Sequence, residues 1–296
     1  MIEMKKSAFI ISKPFQYINA SNIEDLQTKD CFIIDNFYDA EKFTNLVREY
    51  SDNWNDVQIY KDNYKALDYI IKNKNTYSKV YIDSDFGVIL SFYLNRLKAI
   101  DVYTYEEGYA SYNFIRNKNS IKDRIKWLVS DILGLKNWVG GHSKTKGMYL
   151  YQPEMFLKKI GTQKGKEIKS FSKPISDHMF SLKEIAILFD KIDFTVFKDK
   201  KVLLYMTNYH ININVNAELE SNYKDCIKVL KPHPQMGIDK DFFELFDYVV
   251  ENYLPAEILI QRLLTYCNDL TILHEGSFAL EYFKEDKKMK AILLSK

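Results

Sequence analysis

The sequence predicts an α/β protein built from two Rossmann-like domains that face each other across a cleft. Short β-branched and aromatic runs alternate with longer stretches of helical apolar spacing, which is the pattern of parallel βαβ units. The pattern occurs twice, and a polar, lysine-rich stretch lies between the two series. With 296 residues, 46% of them hydrophobic, the chain is long enough to fill two cores. We predict an N-terminal domain at 1–157, a linker region at 158–198 and a C-terminal domain at 199–296.

In the first domain the strand-like runs precede stretches of helical spacing, as crossover connections require. The predicted strands are Ala8–Ser12, Phe32–Asp35, Val57–Tyr60, Lys79–Asp83 and Val102–Tyr105. The predicted helices are Ala40–Tyr50, Tyr64–Lys72 and Val88–Leu97. Ser120–Leu135 has an apolar stripe and many basic residues, which we interpret as a helix with a solvated face. Peripheral contact with the inner membrane surface is the alternative interpretation.

The second domain repeats this alternation. Its predicted strands are Lys201–Met206, Cys226–Leu230, Tyr248–Glu251, Thr271–His274 and Ala291–Leu294. Pro255-Ala256-Glu257 opens a predicted helix that runs to about Leu264, with the proline in its first turn, and a second helix is predicted at Phe278–Phe283.

Charge and cysteine content exclude several classes of protein. The 42 basic and 40 acidic residues nearly cancel, so nothing favours nucleic acid as a partner, and any anion must be bound by a local site. Cys31, Cys226 and Cys267 are far apart and form neither a disulfide framework nor a zinc motif. No apolar run is long enough for a signal peptide or a membrane span, so we expect a cytoplasmic protein.

The segment Lys231-Pro232-His233-Pro234 closes a predicted strand and is the most informative motif. Its prolines favour an extended exit that directs the histidine outward at the sheet edge where open α/β sheets bind ligands. A histidine beside a lysine suits an anionic leaving group. For an isolated His-Pro, a proline-braced loop whose histidine is satisfied by local hydrogen bonds would be the preferred interpretation.

A second strand ends in two carboxylates, Glu106 and Glu107, followed by Gly108. A carboxylate crowded by a like charge has a raised pKa and can take a proton from a hydroxyl. The alternative is a solvated acidic turn.

Two strand-to-helix turns are further candidates. Gly276 and Ser277 stand at the start of the helix after the Thr271–His274 strand, where free backbone N–H groups form a phosphate seat or Ser277 serves only as an N-cap. The first strand turns through Ser12 and Pro14 into a helix that carries Gln16.

Together these motifs resemble the bacterial sialyltransferases of glycosyltransferase family 52 and their polysialyltransferase relatives. The resemblance spans nearly the whole chain and implies a GT-B fold, CMP-sialic acid as donor, inversion at the anomeric carbon, and no metal or other cofactor. The motifs that carry it are Ser12-Lys13-Pro14-Phe15-Gln16, Tyr105-Glu106-Glu107-Gly108, Lys231-Pro232-His233-Pro234, Leu254-Pro255-Ala256-Glu257 and the serine segment at 277.

The resemblance also assigns roles. It makes Glu106 the candidate general base, with Glu107 as the alternative, and His233 the residue that contacts the CMP phosphate. Ser277 corresponds only in part, because related enzymes have two adjacent hydroxyl residues where this chain has Gly276-Ser277. The implied acceptor is a surface glycan of the capsule or lipooligosaccharide type, and the sequence fixes neither the particular acceptor and linkage nor the oligomeric state. The predicted substrate-binding set is Ser12, Pro14, Gln16, Gly108, Thr207, Asn208, Lys231, Pro234, Gly276 and Ser277, of which Thr207 and Asn208 are included for their place at the exit of the Lys201–Met206 strand.

Three other interpretations remain open. Asp83-Ser84-Asp85 is a DxD motif that could hold a divalent cation, but we interpret Asp85 as an N-cap of the following helix. A GT-B-like transferase or epimerase with a CDP- or UDP-activated donor would use a similar histidine. A non-catalytic nucleotide- or carbohydrate-binding protein would have the same fold.

The remaining histidines have smaller parts in these interpretations. His142 and His178 are predicted to be surface loop residues, and His210 is a candidate for the nucleotide pocket.

Overall fold

The computed structural model describes residues 5–113, 128, 130–189, 192–208, 215, 219, 222–235 and 240–294. The chain forms two compact units. One comprises Met1–Asn36 and Ala40–Ser181, and the other comprises Phe37–Asp39 and Leu182–Lys296. Each contains a parallel sheet, so the prediction of two α/β domains is confirmed.

The first unit is built on a seven-stranded sheet with the order β3-β2-β1-β4-β5-β6-β7. All neighbouring strands are parallel. The strand order reverses between β1 and β4, which is the point where open α/β sheets bind ligands. The strands are β1 Lys6–Ile11, β2 Lys29–Ile34, β3 Asp56–Tyr60, β4 Tyr77–Ile82, β5 Asp101–Tyr105, β6 Thr145–Leu150 and β7 Glu167–Ser170.

Helices connect these strands, and two of them start at residues that favour a helix N-terminus. Pro14 occupies the first turn of its helix, where its missing N–H removes no hydrogen bond. Asp62 caps another by accepting a 2.8 Å hydrogen bond from the Lys65 N–H. The helices are α1 Pro14–Ser21, α2 Ala40–Tyr50, α3 Asn63–Lys72, α4 Val88–Arg96, α5 Pro153–Ile160 and α6 Ile175–Ser181, with a 3₁₀ turn at Tyr109–Tyr112.

A row of aromatic rings crosses one face of the first sheet. Phe9 on β1 stacks on Tyr81 of β4, with ring centroids 4.3 Å apart, and Tyr81 stacks on Tyr103 of β5 at 5.4 Å. Trp54 packs edge-on against Phe9 at 5.2 Å. Because Phe9, Tyr81 and Tyr103 are direct register partners, the row stabilises the pairing of the three central strands.

The second unit has a five-stranded parallel sheet with the order β10-β9-β8-β11-β12. The central strand β8 is buried from Val202 to Met206, as expected of a strand covered on both faces. The strands are β8 Lys201–Met206, β9 Ile227–Lys231, β10 Tyr248–Val249, β11 Asp269–His274 and β12 Met289–Leu293. The helices are α7 Lys183–Phe189, α8 Lys240–Phe243 and α9 Ala256–Tyr266, with 3₁₀ turns at Phe194–Phe197 and Phe278–Tyr282.

The segment 158–198, which the sequence predicts as a linker region, contains regular structure. Strand β7 lies within it and pairs with β6, so the first sheet continues into this segment. Neither strand is apolar enough to be recognised in the sequence. Their close approach depends on Gly147, since a Cβ there would lie 2.4 Å from the Glu167 carbonyl oxygen. The two compact units divide between Ser181 and Leu182.

The predicted helix at Ser120–Leu135 lies largely outside the described residues. Of its positions, 128 and 130–132 are helical, and Leu128 and Ile132 are exposed. Among the residues that the structure describes, no helix is both long and apolar enough to cross a membrane.

Candidate active site

Three neighbouring strands of the first sheet end in polar side chains. Ser12 follows β1, Asp83 follows β4, and Glu106 and Glu107 follow β5. Because these strands are parallel and adjacent, their carboxyl ends lie at the same edge of the sheet, on both sides of the β1–β4 switch point. The structure therefore brings the first two predicted motifs together.

Glu106 is built into the interior. Its side chain is fully buried, and its Oε2 accepts hydrogen bonds from the Tyr112 hydroxyl and, at 2.9 Å, from the Tyr151 N–H. The Asn19 side chain donates to the Glu106 backbone carbonyl at 2.8 Å. Glu106 thus anchors the segments around it, and its occupied oxygen is poorly placed to receive a proton from a substrate.

Glu107 has a different environment. It is partly exposed, and among the described residues its carboxylate has no hydrogen-bond partner. Burial, reinforced by the Asp83 carboxylate, raises the pKa of Glu107 to about 7, while Lys13 opposes the shift. A carboxylate with this pKa is suited to accept a proton near neutral pH. The geometry therefore favours Glu107 over Glu106 as the base.

Asp83, at the end of β4, lies on the same side of the switch point as Glu107, and Ser12, after β1, lies on the other side. The Ser12 hydroxyl donates to the Asp83 carboxylate and lies 2.6 Å from Oε1 of the buried Gln16. Burial raises the pKa of Asp83, and the bond from Ser12 and the charge of Lys13 oppose this. Ser12 and Gln16 therefore support Asp83, which in turn perturbs the titration of Glu107.

The second aspartate of the DxD motif has a structural partner. Asp85 is buried and accepts hydrogen bonds from the Gly140 N–H at 2.8 Å, the His142 N–H at 2.9 Å and the Thr145 hydroxyl at 2.7 Å. The prediction of Asp85 as an N-cap is wrong, because Gly87 occupies that position in α4 and makes no side-chain cap.

The two aspartates of the DxD motif are thus directed to different partners. Within the described ranges, no group of three His, Cys, Asp or Glu side chains is arranged to hold a metal ion.

The prediction of His142 and His178 as surface residues is also wrong. His142 is 1% exposed and accepts the Lys144 N–H at Nδ1. His178 lies in α6, is 6% exposed, and its Nε2 is 2.8 Å from the Ser21 hydroxyl. Burial lowers the pKa of both rings, that of His178 to about 4, so both are neutral near pH 7. His142 packs a loop of the first unit, and His178 joins α6 to α1.

In the second unit, polar residues again follow neighbouring strands. Thr207 follows β8, Lys231 ends the adjacent β9, and His274 ends β11 on the other side of β8. Asn208 is the next residue along the chain from Thr207, and His210 lies outside the described residues. The His-Pro motif and the serine segment therefore share one edge of this sheet.

The backbone around His233 orients its ring. Its N–H donates to the Thr207 hydroxyl at 2.9 Å, and the Asn252 side chain donates to its carbonyl at 3.3 Å. The ring Nδ1 accepts the Gln235 N–H at 3.2 Å. A ring nitrogen that accepts a hydrogen bond carries no proton, so the neutral ring has its N–H at Nε2. His233 can therefore donate to an anion through Nε2.

Lys231 supports this loop from within. Its side chain is buried, and Nζ donates to the Pro232 carbonyl and, at 3.0 Å, to the Asn252 carbonyl. Burial lowers the pKa of Lys231 to about 7, and the nearby Glu257 opposes the shift. The ammonium group thus faces backbone oxygens, which explains why a lysine beside the histidine does not itself form the anion site.

The serine segment differs from the predicted phosphate seat. The Gly276 and Ser277 N–H groups donate to Nδ1 of His274, at 3.1 and 3.3 Å. Ser277 stands at the N-cap of the Phe278–Tyr282 turn without a side-chain cap, and this turn is 3₁₀ where an α-helix was predicted. Gly276 has a φ of 101°, in the region that favours glycine.

The remaining predicted residues shape turns. Pro14 starts α1, and Gly108, with a φ of 113°, precedes the Tyr109–Tyr112 turn. The Pro234 carbonyl accepts the Tyr38 N–H at 2.9 Å. Sequence reasoning overlooked Asp83 as a neighbour of Glu107 and Asn252 as a brace of His233, and only their places at or beside strand ends could have indicated them.

No protein-family model matches the sequence, and no curated protein matches it. Solved structures are similar in fold. An α/β-galactoside α-2,3-sialyltransferase from Photobacterium phosphoreum has 12% identity and a TM-score of 0.54, over 97% of this chain and 89% of that chain. The wall teichoic acid polymerase TagF has 10% identity and a TM-score of 0.53, over 97% and 69%. A UDP-glucosyltransferase from Polygonum tinctorium has 8% identity and a TM-score of 0.50, over 92% and 76%.

At these identities the likeness establishes the fold. The chain has the GT-B fold of nucleotide-sugar glycosyltransferases, as the resemblance predicts.

Proposed function

We propose that the protein is a glycosyltransferase and, more specifically, an inverting, metal-independent sialyltransferase that uses CMP-sialic acid. The observation that carries the proposal is Glu107, a carboxylate with a pKa of about 7 at the switch-point edge of the first sheet. A transferase needs such a base to remove the proton of the acceptor hydroxyl. The GT-B fold supports the reaction class, and the family resemblance supports the donor.

In the proposed reaction, the acceptor hydroxyl oxygen attacks the anomeric carbon of the sialic acid while Glu107 takes its proton. The bond from that carbon to the CMP phosphate oxygen breaks, and the electron pair leaves with the phosphate. Attack from the face opposite to the leaving group inverts the configuration. The Nε2–H of His233 donates to the phosphate oxygen as its charge develops, which lowers the barrier electrostatically.

The choice of Glu107 as the base replaces the role that the resemblance gives to Glu106. The two neighbours differ because the Tyr112 hydroxyl and the Tyr151 N–H already occupy Glu106. Glu107 has no such partners among the described residues. The proposed mechanism requires Glu107 and His233 to act on the same donor and acceptor.

A panel of donors tests the proposal. The protein is incubated with CMP-, CDP- and UDP-activated sugars and a range of glycan acceptors, and release of the free nucleotide is measured. We expect CMP release from CMP-sialic acid that depends on acceptor and on Glu107. Nucleotide release from a CDP- or UDP-sugar instead would contradict CMP-sialic acid as the donor, but it would still support a glycosyltransferase. Nucleotide binding without release from any donor would favour a non-catalytic binding protein.

We also propose contact with the inner face of a membrane, where a capsule or lipooligosaccharide acceptor is made. Val88, Ile89 and Phe92 of α4 are 48%, 59% and 67% exposed. The Asn95 side chain donates to the Leu133 carbonyl at 3.4 Å and so links α4 to the segment with the exposed Leu128 and Ile132. In the sequence, residues 116–126, just before Leu128, include five basic residues and one acidic residue. Exposed apolar residues with nearby basic charge favour anionic lipid.

Vesicle co-sedimentation tests this contact. We expect binding to phosphatidylglycerol vesicles, weaker binding to phosphatidylcholine, and loss of binding in Phe92→Ser. Leu26→Ser removes another exposed apolar side chain, which lies elsewhere, and is the matched control. Equal binding by Phe92→Ser and wild type would contradict the proposal.

A further inference from the structure

A second imidazole lies at the edge of the second sheet where its parallel strands end. His274 ends β11, and β11 is the neighbour of β8 on the side opposite to β9. His233 follows β9 and Thr207 follows β8, so three adjacent parallel strands carry these residues at one edge. This is the edge where a nucleotide binds in an open α/β sheet.

The backbone fixes the proton position on this ring. Nδ1 of His274 accepts the N–H groups of Gly276 and Ser277 at 3.1 and 3.3 Å. Since the accepting nitrogen has no proton, the neutral ring carries its proton at Nε2. Burial also lowers the pKa of His274, which keeps the ring neutral near pH 7.

The same hydrogen bonds engage the two backbone N–H groups that the sequence predicts as a phosphate seat. Both N–H groups point at Nδ1 of His274, so their dipoles polarise the ring toward its other nitrogen, Nε2. The residue is partly exposed, and in the described part of the chain no acceptor is bonded to Nε2. The ring therefore presents a directed donor at the position where the sequence leads one to expect bare N–H groups.

We propose that the Nε2–H of His274 is a second hydrogen-bond donor to the phosphate of the bound nucleotide, beside that of His233. The role rests on the proposed function for its ligand class, a nucleoside 5′-phosphate. His274 stabilises phosphate charge and transfers no proton, because a neutral ring that lost its Nε2 proton would become an imidazolate anion.

The first test is the contribution of the phosphate to binding. Affinities of wild type, His274→Ala and His274→Gln are measured by calorimetry for CMP against cytidine and for UDP against uridine. Because the proposed hydrogen bond is made to a charged phosphate, His274→Ala should lower nucleotide affinity roughly 10- to 100-fold. Nucleoside affinity should be unchanged. His274→Gln places an amide N–H near the Nε2 position and should retain most of the affinity. Glu281→Gln, an exposed change on the following turn, is the matched control and should bind as wild type.

The second test is independent of catalysis. Nitrogen-15 NMR of histidine-labelled protein should show His274 protonated at Nε2 and shifted on addition of CMP or UDP. Protonation at Nδ1 would overturn the inference, as would an unchanged ratio of nucleotide to nucleoside affinity in His274→Ala.

The two proposals fail in different ways. Phosphate-dependent binding through His274 without transfer from any donor would overturn the proposed function and support the role of His274. Donor turnover by an enzyme whose His274→Ala variant keeps full nucleotide affinity would support the proposed function and overturn the role of His274.

Discussion

Replacing Glu107 by glutamine tests the proposed mechanism at its central residue. Glutamine has nearly the same shape but cannot take a proton, so we expect kcat to fall roughly 10²- to 10⁴-fold, the range for loss of a general base. CMP-sialic acid binding should persist. The measurement is acceptor-dependent CMP release at saturating substrate.

The same variant should be more stable than wild type. The folded-state pKa of Glu107 is about 7, above its ordinary value of 4.5, so the ionised carboxylate is less favourable in the folded chain than in the unfolded chain. The stability contribution present below pH 4.5 is lost as the pH rises through 7. Glutamine avoids this loss, and its Tm should therefore exceed that of wild type above pH 7, with the difference disappearing in acid.

Glu106→Gln is the matched comparison one residue away. The amide oxygen can accept the bonds from the Tyr112 hydroxyl and the Tyr151 N–H, but without the strength of bonds to a charged group. We expect a loss of about 1 kcal/mol, or roughly 2–4 °C in Tm for a unit of this size, with most activity retained. An inactive Glu106→Gln of normal Tm beside an active Glu107→Gln would refute the assignment.

Three further predictions follow from the same contacts. The pH profile of kcat should have an acidic limb near pH 7, and Asp83→Asn should move this limb to lower pH, because removing the Asp83 charge lowers the pKa of Glu107. An unchanged limb would show that Asp83 does not act on Glu107. Activity should survive a chelator, since the proposed reaction uses no metal; its loss, with recovery on adding Mg²⁺ or Mn²⁺, would restore the DxD interpretation. Lys231→Met should lower CMP affinity, because the bonds from Nζ to the Pro232 and Asn252 carbonyls brace the His233 loop, and calorimetry that shows wild-type affinity would count against this.

The sequence predicts the strands that form β-branched or aromatic runs and misses β6 and β7, which do not. The central strands β1, β4 and β5 are apolar runs and lie within two residues of their predicted positions. β6 is interrupted by Lys146 and Gly147, β7 is polar and has no buried residue, and their pairing depends on the close approach at Gly147. No local pattern indicates such an approach, which is why the linker region was predicted over β7.

At the candidate site the sequence indicates the right segments but does not separate their residues. Glu106 and Glu107 are adjacent, and Tyr112 and Tyr151, 6 and 45 residues further along, decide which of them is buried. The three donors to Asp85 likewise lie 55 to 60 residues downstream, so the local N-cap pattern was misleading. Contacts between distant segments have no signature in a single sequence.

The packing of Trp54 against Phe9 gives the protein a built-in optical probe. All three tryptophans, at positions 54, 127 and 138, precede the second unit's main segment, which starts at Leu182. Trp54 and Trp138 are buried in the first unit, so their emission should shift to longer wavelength when that unit unfolds. Circular dichroism of the backbone reports on both units at once. Comparing the two signals during denaturation would show whether the second unit melts together with the first unit or separately.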